Sequence, residues 1–408
     1  MPFTYRNGVL CADDVPLDEV AREFGTPCFV YSKASIETAF AEFNGALDGR
    51  DALVCYSVKA NSNLAVLSLL ARLGAGFDIV SGGEFARVIA AGGEPRRTLF
   101  SGVGKSKAEL RFALDRDIGC INLESESELH SVDTVAGHAG KKARVAFRVN
   151  PDIDAKTHPY ISTGLRETKF GVAHADAERL YKKAVALPNI QVVGIGCHIG
   201  SMLQEAAPFV AAAERLIALV DRLESAGLRL QHVDFGGGIG IRYKDEAPQP
   251  AARFVSEALR TVGKRPHKVI FDPGRAIVGN AGVLLTRVEY VKPRFLVVDA
   301  GMNDLIRPAL YGAWHEVRTV KETSGGALYD VVGPVCESAD FLAKGRTLSA
   351  GEGDLLAVMS CGAYAMVMSS NYNTRPRAPE VLVSGKSTYL VRRREEVREL
   401  FAAERIPG

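Results

Sequence analysis

Four short segments of the 408-residue chain carry side chains that could do chemistry. Lys59 stands in Tyr56-Ser57-Val58-Lys59-Ala60-Asn61, with apolar residues 53–55 before it. His198 stands in Gly196-Cys197-His198-Ile199-Gly200-Ser201. A glycine cluster runs Gly236-Gly237-Gly238-Ile239-Gly240, and Asp272-Pro273-Gly274-Arg275 completes the set. A lysine in apolar surroundings loses its proton more easily, and the neutral amine can then form a Schiff base with an aldehyde. Consecutive glycines let backbone N–H groups approach a phosphate, helped by the positive end of a following helix. Each segment taken alone also has a plainer reading. These are a solvated lysine, a packed histidine, a glycine turn and a turn-forming Asp-Pro-Gly.

What decides between the readings is the set of elements that must position them. Apolar runs rich in β-branched residues occur at 53–58, 76–80, 98–101, 119–123, 144–149, 191–198, 231–235 and 268–272. Between them lie amphipathic, alanine-rich runs, including 63–73, 84–91, 125–136, 175–187, 206–225 and 252–262. In the longest of these, Phe209, Ala213, Leu216, Val220 and Leu223 recur at helical spacing. Alternating strands and helices imply parallel strands with right-handed crossovers. About eight such strands close a (β/α)8 barrel. A doubly wound open sheet is the competing architecture, but it would carry its phosphate loop after the first strand, where this chain has Lys59-Ala60-Asn61.

Barrel active sites lie at the C-terminal ends of the strands, with phosphate near strands seven and eight. Lys59 follows strand one, His198 ends strand six, the glycines follow strand seven and Asp272–Arg275 follows strand eight. All four converge on one rim, which favours the phosphate reading of the glycines. They are not a P-loop, since no Gly-Lys-Ser/Thr follows. A lysine for an aldehyde, a phosphate cradle and a carboxylate for a pyridine nitrogen together suggest pyridoxal 5'-phosphate. His198 lacks companions with metal-ligand spacing, so no metal site is expected, and its ring could stack on a flat cofactor.

After about residue 276 the texture changes to strands at 283–291, 295–299, 327–332, 354–359 and 380–384, separated by Gly, Pro and Asn turns. Residues 26–31 read as one more strand, able to pair with this second half. The expected division is a barrel over 27–276 and a β domain of 1–26 and 277–408. Lys+Arg number 50 against Asp+Glu 48, a formal charge of +2 that argues against a nucleic-acid surface. Hydrophobic residues make up 47% and charged residues 24%, as in soluble globular proteins. No apolar stretch has bilayer length, and residues 1–6 do not resemble a secretory signal. The seven cysteines include no C-x-x-C pair, so reduced thiols and a cytoplasmic location are expected.

The motifs resemble those of the diaminopimelate decarboxylases, in the alanine-racemase-like group of pyridoxal-phosphate enzymes. The resemblance rests on Tyr56–Asn61, Phe77-Asp78-Ile79-Val80-Ser81-Gly82-Gly83-Glu84, His158-Pro159-Tyr160-Ile161, Lys169-Phe170-Gly171, Cys197–Ser201 and the glycine loop. In the second half it rests on Asp299–Tyr311, Cys336–Leu342 and Ser370-Asn371-Tyr372-Asn373. It covers nearly the whole chain. It implies a (β/α)8 barrel that binds pyridoxal 5'-phosphate and a C-terminal β-sandwich or β-barrel domain. It further implies conversion of meso-2,6-diaminopimelate to L-lysine and CO2, the last step of lysine biosynthesis.

The resemblance also implies roles. Lys59 would bind the cofactor and His198 would stack on its ring. Ser201, Gly237, Gly238 and Asp272, Pro273, Gly274 and Arg275 would hold the cofactor, with Arg275 also reaching substrate. Arg307, Tyr311 and Glu337 would bind substrate, Tyr364 would touch both, and Cys336 would be the proton donor. Arg forks suit carboxylates, Glu337 suits the distal ammonium group, and a thiol can deliver a proton to a carbanion. The family completes its sites across a two-fold homodimer, so Cys336 and Glu337 are expected from the other subunit. Two positions depart from the family pattern: Asp272 stands where glutamate is usual, and Met202 where glutamine is common. An ornithine- or arginine-type decarboxylase of the same fold is the alternative, though those relatives carry Cys-Asp where this chain has Cys336-Glu337. A non-catalytic cofactor carrier would usually be a barrel alone.

Overall fold

The computed structural model describes residues 3–47, 49–153 and 169–407. The His158–Ile161 motif lies outside these residues. The chain divides into two compact units. One comprises Phe40–Ile241 and Ala247–Ala276, the other Met1–Ala39, Arg242–Glu246 and Ile277–Gly408.

The first unit is a closed parallel barrel. Its eight strands are Ala52–Ser57, Gly76–Ile79, Thr98–Phe100, Cys120–Leu123, Ala143–Asn150, Ile190–Gly196, His232–Asp234 and Lys268–Phe271. Each pairs with the next, and the eighth pairs back to the first through Val269–Ala52, Ile270–Leu53 and Phe271–Val54. Apolar side chains fill the interior, among them Leu53, Cys55, Leu99, Cys120, Ala146, Val193 and Ile270. Strands buried on both faces explain why the sequence shows continuous apolar runs there rather than alternation.

Several helices between the strands start on side-chain caps. Asn63 caps Leu64–Arg72, Ser81 caps Gly82–Ala90 and Ser125 caps Glu126–His138, each oxygen accepting a backbone N–H of the first turn. Ala207–Ser225 buries Phe209, Ala213, Leu216, Val220 and Leu223, the face its spacing predicts. Among the helices between barrel strands, Lys107–Asp115 escaped the periodicity reading. Its signal is the capping box in which Ser106 and Glu109 satisfy each other's backbone N–H groups.

The second unit is built on the long strand Gly282–Lys292. It pairs antiparallel with Phe295–Val298, Leu355–Val358 and Cys28–Ser32. Cys28–Ser32 in turn lies parallel to Glu380–Ser384. These pairings put Cys28–Ser32 with the β unit, whose first stretch runs to Ala39. Phe3, Leu10, Val15 and Val20 pack with Val283, Leu285, Ala357 and Val381 in one apolar cluster. Each valine, leucine or phenylalanine among them, once fully buried, contributes about 1.5–3 kcal/mol of transfer free energy. Residues 242–246 also belong to this unit, because Tyr243 packs edge-on against His315. Among the described residues of this unit, the sequence reading missed the N-terminal strands Phe3–Arg6, Val9–Ala12 and Val15–Pro16 and, further on, Val317–Thr319, Phe341–Leu348 and Ser387–Arg392. The last is largely exposed, so no apolar run marks it. Among the described residues no helix is long and apolar enough to cross a membrane.

Candidate active site

The C-terminal ends of all eight barrel strands contribute to one cavity. In strand order it is lined by Lys59, Asp78, Ser101, Asn122, Arg148, His198, Asp234 and Asp272, with Gly196 and Cys197 beside His198. Parallel strands ending on one rim produce this convergence.

Lys59 lies in the single helical turn Val58–Ala60 that follows the first strand. Its Nζ is 3.3 Å from Asp78 Oδ2. Ser57 Oγ donates to the same oxygen at 3.2 Å, and Ser101 Oγ donates to Oδ1 at 2.5 Å. Asn122 Nδ2 donates to Ser101 Oγ at 3.1 Å and extends the network to the fourth strand. Burial pushes the Asp78 carboxyl above the usual carboxylate range, and the charge of Lys59 opposes this. Asp234 is pushed well up by burial and then by the neighbouring Asp272 charge, while its Oδ1 accepts from Gly236 N–H at 2.9 Å.

The glycine loop is fixed by close backbone approaches. Gly238 has φ +88°, and a side chain there would run into the carbonyl oxygen of Gly200. A Cβ on Gly237 would sit 2.5 Å from the Asp272 carbonyl oxygen and 2.8 Å from its Oδ1. Gly237 N–H donates to His198 Nδ1 at 3.4 Å, and Asp272 Oδ1 lies 3.7 Å from the same ring nitrogen. Pro273 is tied to the first strand, its carbonyl accepting from Ser57 N–H at 3.0 Å, and Gly274 follows against Ser57 and Ala60. Arg275 Nη2 donates to Ser201 Oγ at 3.3 Å. Ser201, His198, the glycines and the Asp272–Arg275 segment are therefore one interlocked set.

Three buried polar atoms in this cavity lack hydrogen-bond partners among the described residues, although Arg148 also pairs with Glu124 through Nη1. Asp272 Oδ1 has no hydrogen-bond donor, and Arg148 Nε and Nη2 have no acceptor. Buried groups of this kind carry a large desolvation cost unless something satisfies them. An acceptor for a protonated ring nitrogen, donors for an anionic oxygen and an amine for an aldehyde are what pyridoxal phosphate requires. The residues present fit that group. Asp78, Ser101, Asn122, Arg148 and Asp234 have no role in the sequence reading. Their signal was their position at strand ends, which only the strand boundaries expose.

The remaining expected site residues stand on the β unit. Arg307 and Tyr311 begin and end the short helix Arg307–Tyr311. Cys336 and Glu337 are exposed in this chain. The Cys336 N–H donates to Asn373 Oδ1 at 2.9 Å. Asp340 accepts from Val335 N–H at 2.7 Å and from Met302 N–H at 2.6 Å, pinning the Cys336 loop to the Asp299–Tyr311 segment. Tyr364 holds a left-handed backbone, φ +55°, costly for a bulky residue.

Residues 33–279 match the family model of the pyridoxal-dependent decarboxylases, pyridoxal binding domain. With its closed barrel and the lysine at the barrel mouth, the chain is a pyridoxal-dependent carboxy-lyase. It is 56% identical to a diaminopimelate decarboxylase of Pseudomonas fluorescens, covering 98% of each chain. It is 54% identical to that of Pseudomonas aeruginosa, again over 98% of each. It is also similar to the crystal structure of diaminopimelate decarboxylase from Helicobacter pylori complexed with L-lysine. That likeness has a TM-score of 0.92 at 40% identity, over 95% of this chain and 98% of that one. The chain belongs to the diaminopimelate decarboxylase family.

Proposed function

We propose that the chain releases one carboxylate of meso-2,6-diaminopimelate as CO2 and leaves L-lysine. The observation that carries this reading is the strand-end cavity of Lys59, Asp78, Arg148, His198 and Asp272 in a chain of this family. Bound pyridoxal phosphate supplies a ring that accepts the electron pair left when CO2 departs.

The chain's own residues do the rest. Lys59 provides the amine that holds the cofactor, and Asp78 orients that amine. Asp272 offers an acceptor for the ring nitrogen, and His198 offers its ring face. Ser201, Gly237, Gly238, Pro273, Gly274 and Arg275 hold the cofactor, and Tyr364 reaches its phosphate and the substrate. Arg275 and Arg307 grip carboxylates, Tyr311 adds a hydroxyl, and Glu337 takes the distal ammonium. The Cys336 thiol delivers the proton that replaces the lost carboxylate. Cys336 and Glu337 serve the site of the partner subunit in a homodimer. All seven cysteines are free, which supports a cytoplasmic setting.

Glutamate after Cys336 favours diaminopimelate over ornithine or arginine. The test is a substrate panel with purified protein and pyridoxal phosphate. CO2 and L-lysine should form in equal amounts from meso-diaminopimelate, with kcat/KM at least about 100-fold above that for ornithine. Faster turnover of ornithine or arginine would contradict the assignment, and cofactor binding without CO2 release would exclude an enzyme.

A further inference from the structure

We infer that His315 is the positioning residue for Arg307, fixing the direction of its guanidinium. Arg307 is 7% exposed and His315 is fully buried. Arg307 Nη1 lies 2.7 Å from His315 Nε2, and His315 Nδ1 lies 2.8 Å from the carbonyl oxygen of Met359. A carbonyl oxygen only accepts, so Nδ1 carries the ring proton. Nε2 is then the acceptor that Arg307 requires, and the imidazole is neutral. Both ring nitrogens are engaged, so the ring is held from two sides.

A second contact fixes the guanidinium from its face. Arg307 Cζ sits 4.5 Å from the centroid of the Tyr243 ring. That ring meets His315 edge-on, with centroids 5.2 Å apart and planes at 77°. Cys361 Sγ stands 3.8 Å from His315 Nδ1 and closes the cluster. Imidazole and phenol hold the arginine by hydrogen bonding and cation–π attraction. A carboxylate in the place of His315 would hold the same donor but cancel its charge. A guanidinium held in one direction presents its planar fork of donors to a carboxylate without first having to be ordered.

The inference rests on Arg307 binding a substrate carboxylate, and the test separates the two. Steady-state kinetics are measured for Arg307→Ala, His315→Ala, His315→Gln and His315→Glu, with cofactor content read from absorbance. Arg307→Ala should raise KM about 100-fold or more. His315→Ala should raise KM about tenfold to 100-fold, with kcat within about threefold and cofactor content unchanged. His315→Gln restores an acceptor near Nε2 and should recover most of the loss. His315→Glu should raise KM as far as His315→Ala does. A KM unchanged in His315→Ala overturns the inference. So does a joint fall of kcat, affinity and cofactor content that His315→Gln does not recover, while Arg307→Ala keeps its large effect. If Arg307→Ala leaves KM unchanged, the substrate role of Arg307 fails, and the inference with it.

Discussion

Lys59 Nζ and Asp78 Oδ2 are 3.3 Å apart at the barrel mouth, and Asp78 is itself held by the hydroxyls of Ser57 and Ser101. The lysine therefore points where a carboxylate anchored on two other strands directs it. Asp78→Asn keeps the shape and removes the charge. It should lower kcat by about tenfold to 100-fold, the worth of a charge-assisted hydrogen bond. Cofactor content should stay within about twofold of wild type. Parallel loss of activity and cofactor would show that Asp78 only supports the fold.

Cys336 is held by its backbone, through Asn373 and the Asp340 clamp, while its side chain stays exposed in this chain. Cys336→Ala should cut kcat by at least about 100-fold, the scale of losing a positioned acid. Cofactor affinity, read by absorbance titration, should change far less. Equal losses would point to a structural cysteine.

Gly238→Ala meets two obstacles at once, a φ of +88° and the carbonyl of Gly200. The expected cost is about 3 kcal/mol or more, seen as a lower midpoint of chemical denaturation. The loop should also lose its grip on the cofactor, so cofactor content should fall with stability. An unchanged midpoint would mean that the loop shifts freely and does not need its glycine.

His232 gives the fold a pH signature. Burial lowers its pKa from 6.5 to about 4, and the positive charges of Arg144, Lys268 and His267 push the same way. The unfolded chain thus binds this proton more readily than the folded one. Stability from this group is complete above pH 6.5 and is lost as pH falls through about 4. The full effect is about 3 kcal/mol. Denaturation midpoints should fall between pH 6.5 and 4, and His232→Gln should flatten that fall, whatever its own stability at pH 8. Equal slopes in the two proteins would refute the assignment.

Much of this was legible in the sequence, for physical reasons. All eight barrel strands were, because central parallel strands are apolar on both faces and interrupt helical periodicity. The rim followed from strand order alone, which is how Lys59, His198, Gly237 and Asp272 could be grouped before any coordinates. Asp78, Ser101, Asn122 and Arg148 were not legible as site residues. Each is a common polar residue whose meaning depends on lying at or just past the C-terminal end of its strand. Tyr243 and His315 were hidden for another reason. They lie 72 positions apart and meet only because residues 242–246 join the β unit.

The most direct test of the account asks which amine carries the cofactor. Borohydride treatment of the yellow protein, followed by proteolysis and mass spectrometry, should place one reduced pyridoxyl phosphate on the peptide containing Lys59. A label on any other lysine, or none on protein reconstituted with pyridoxal phosphate, would contradict it.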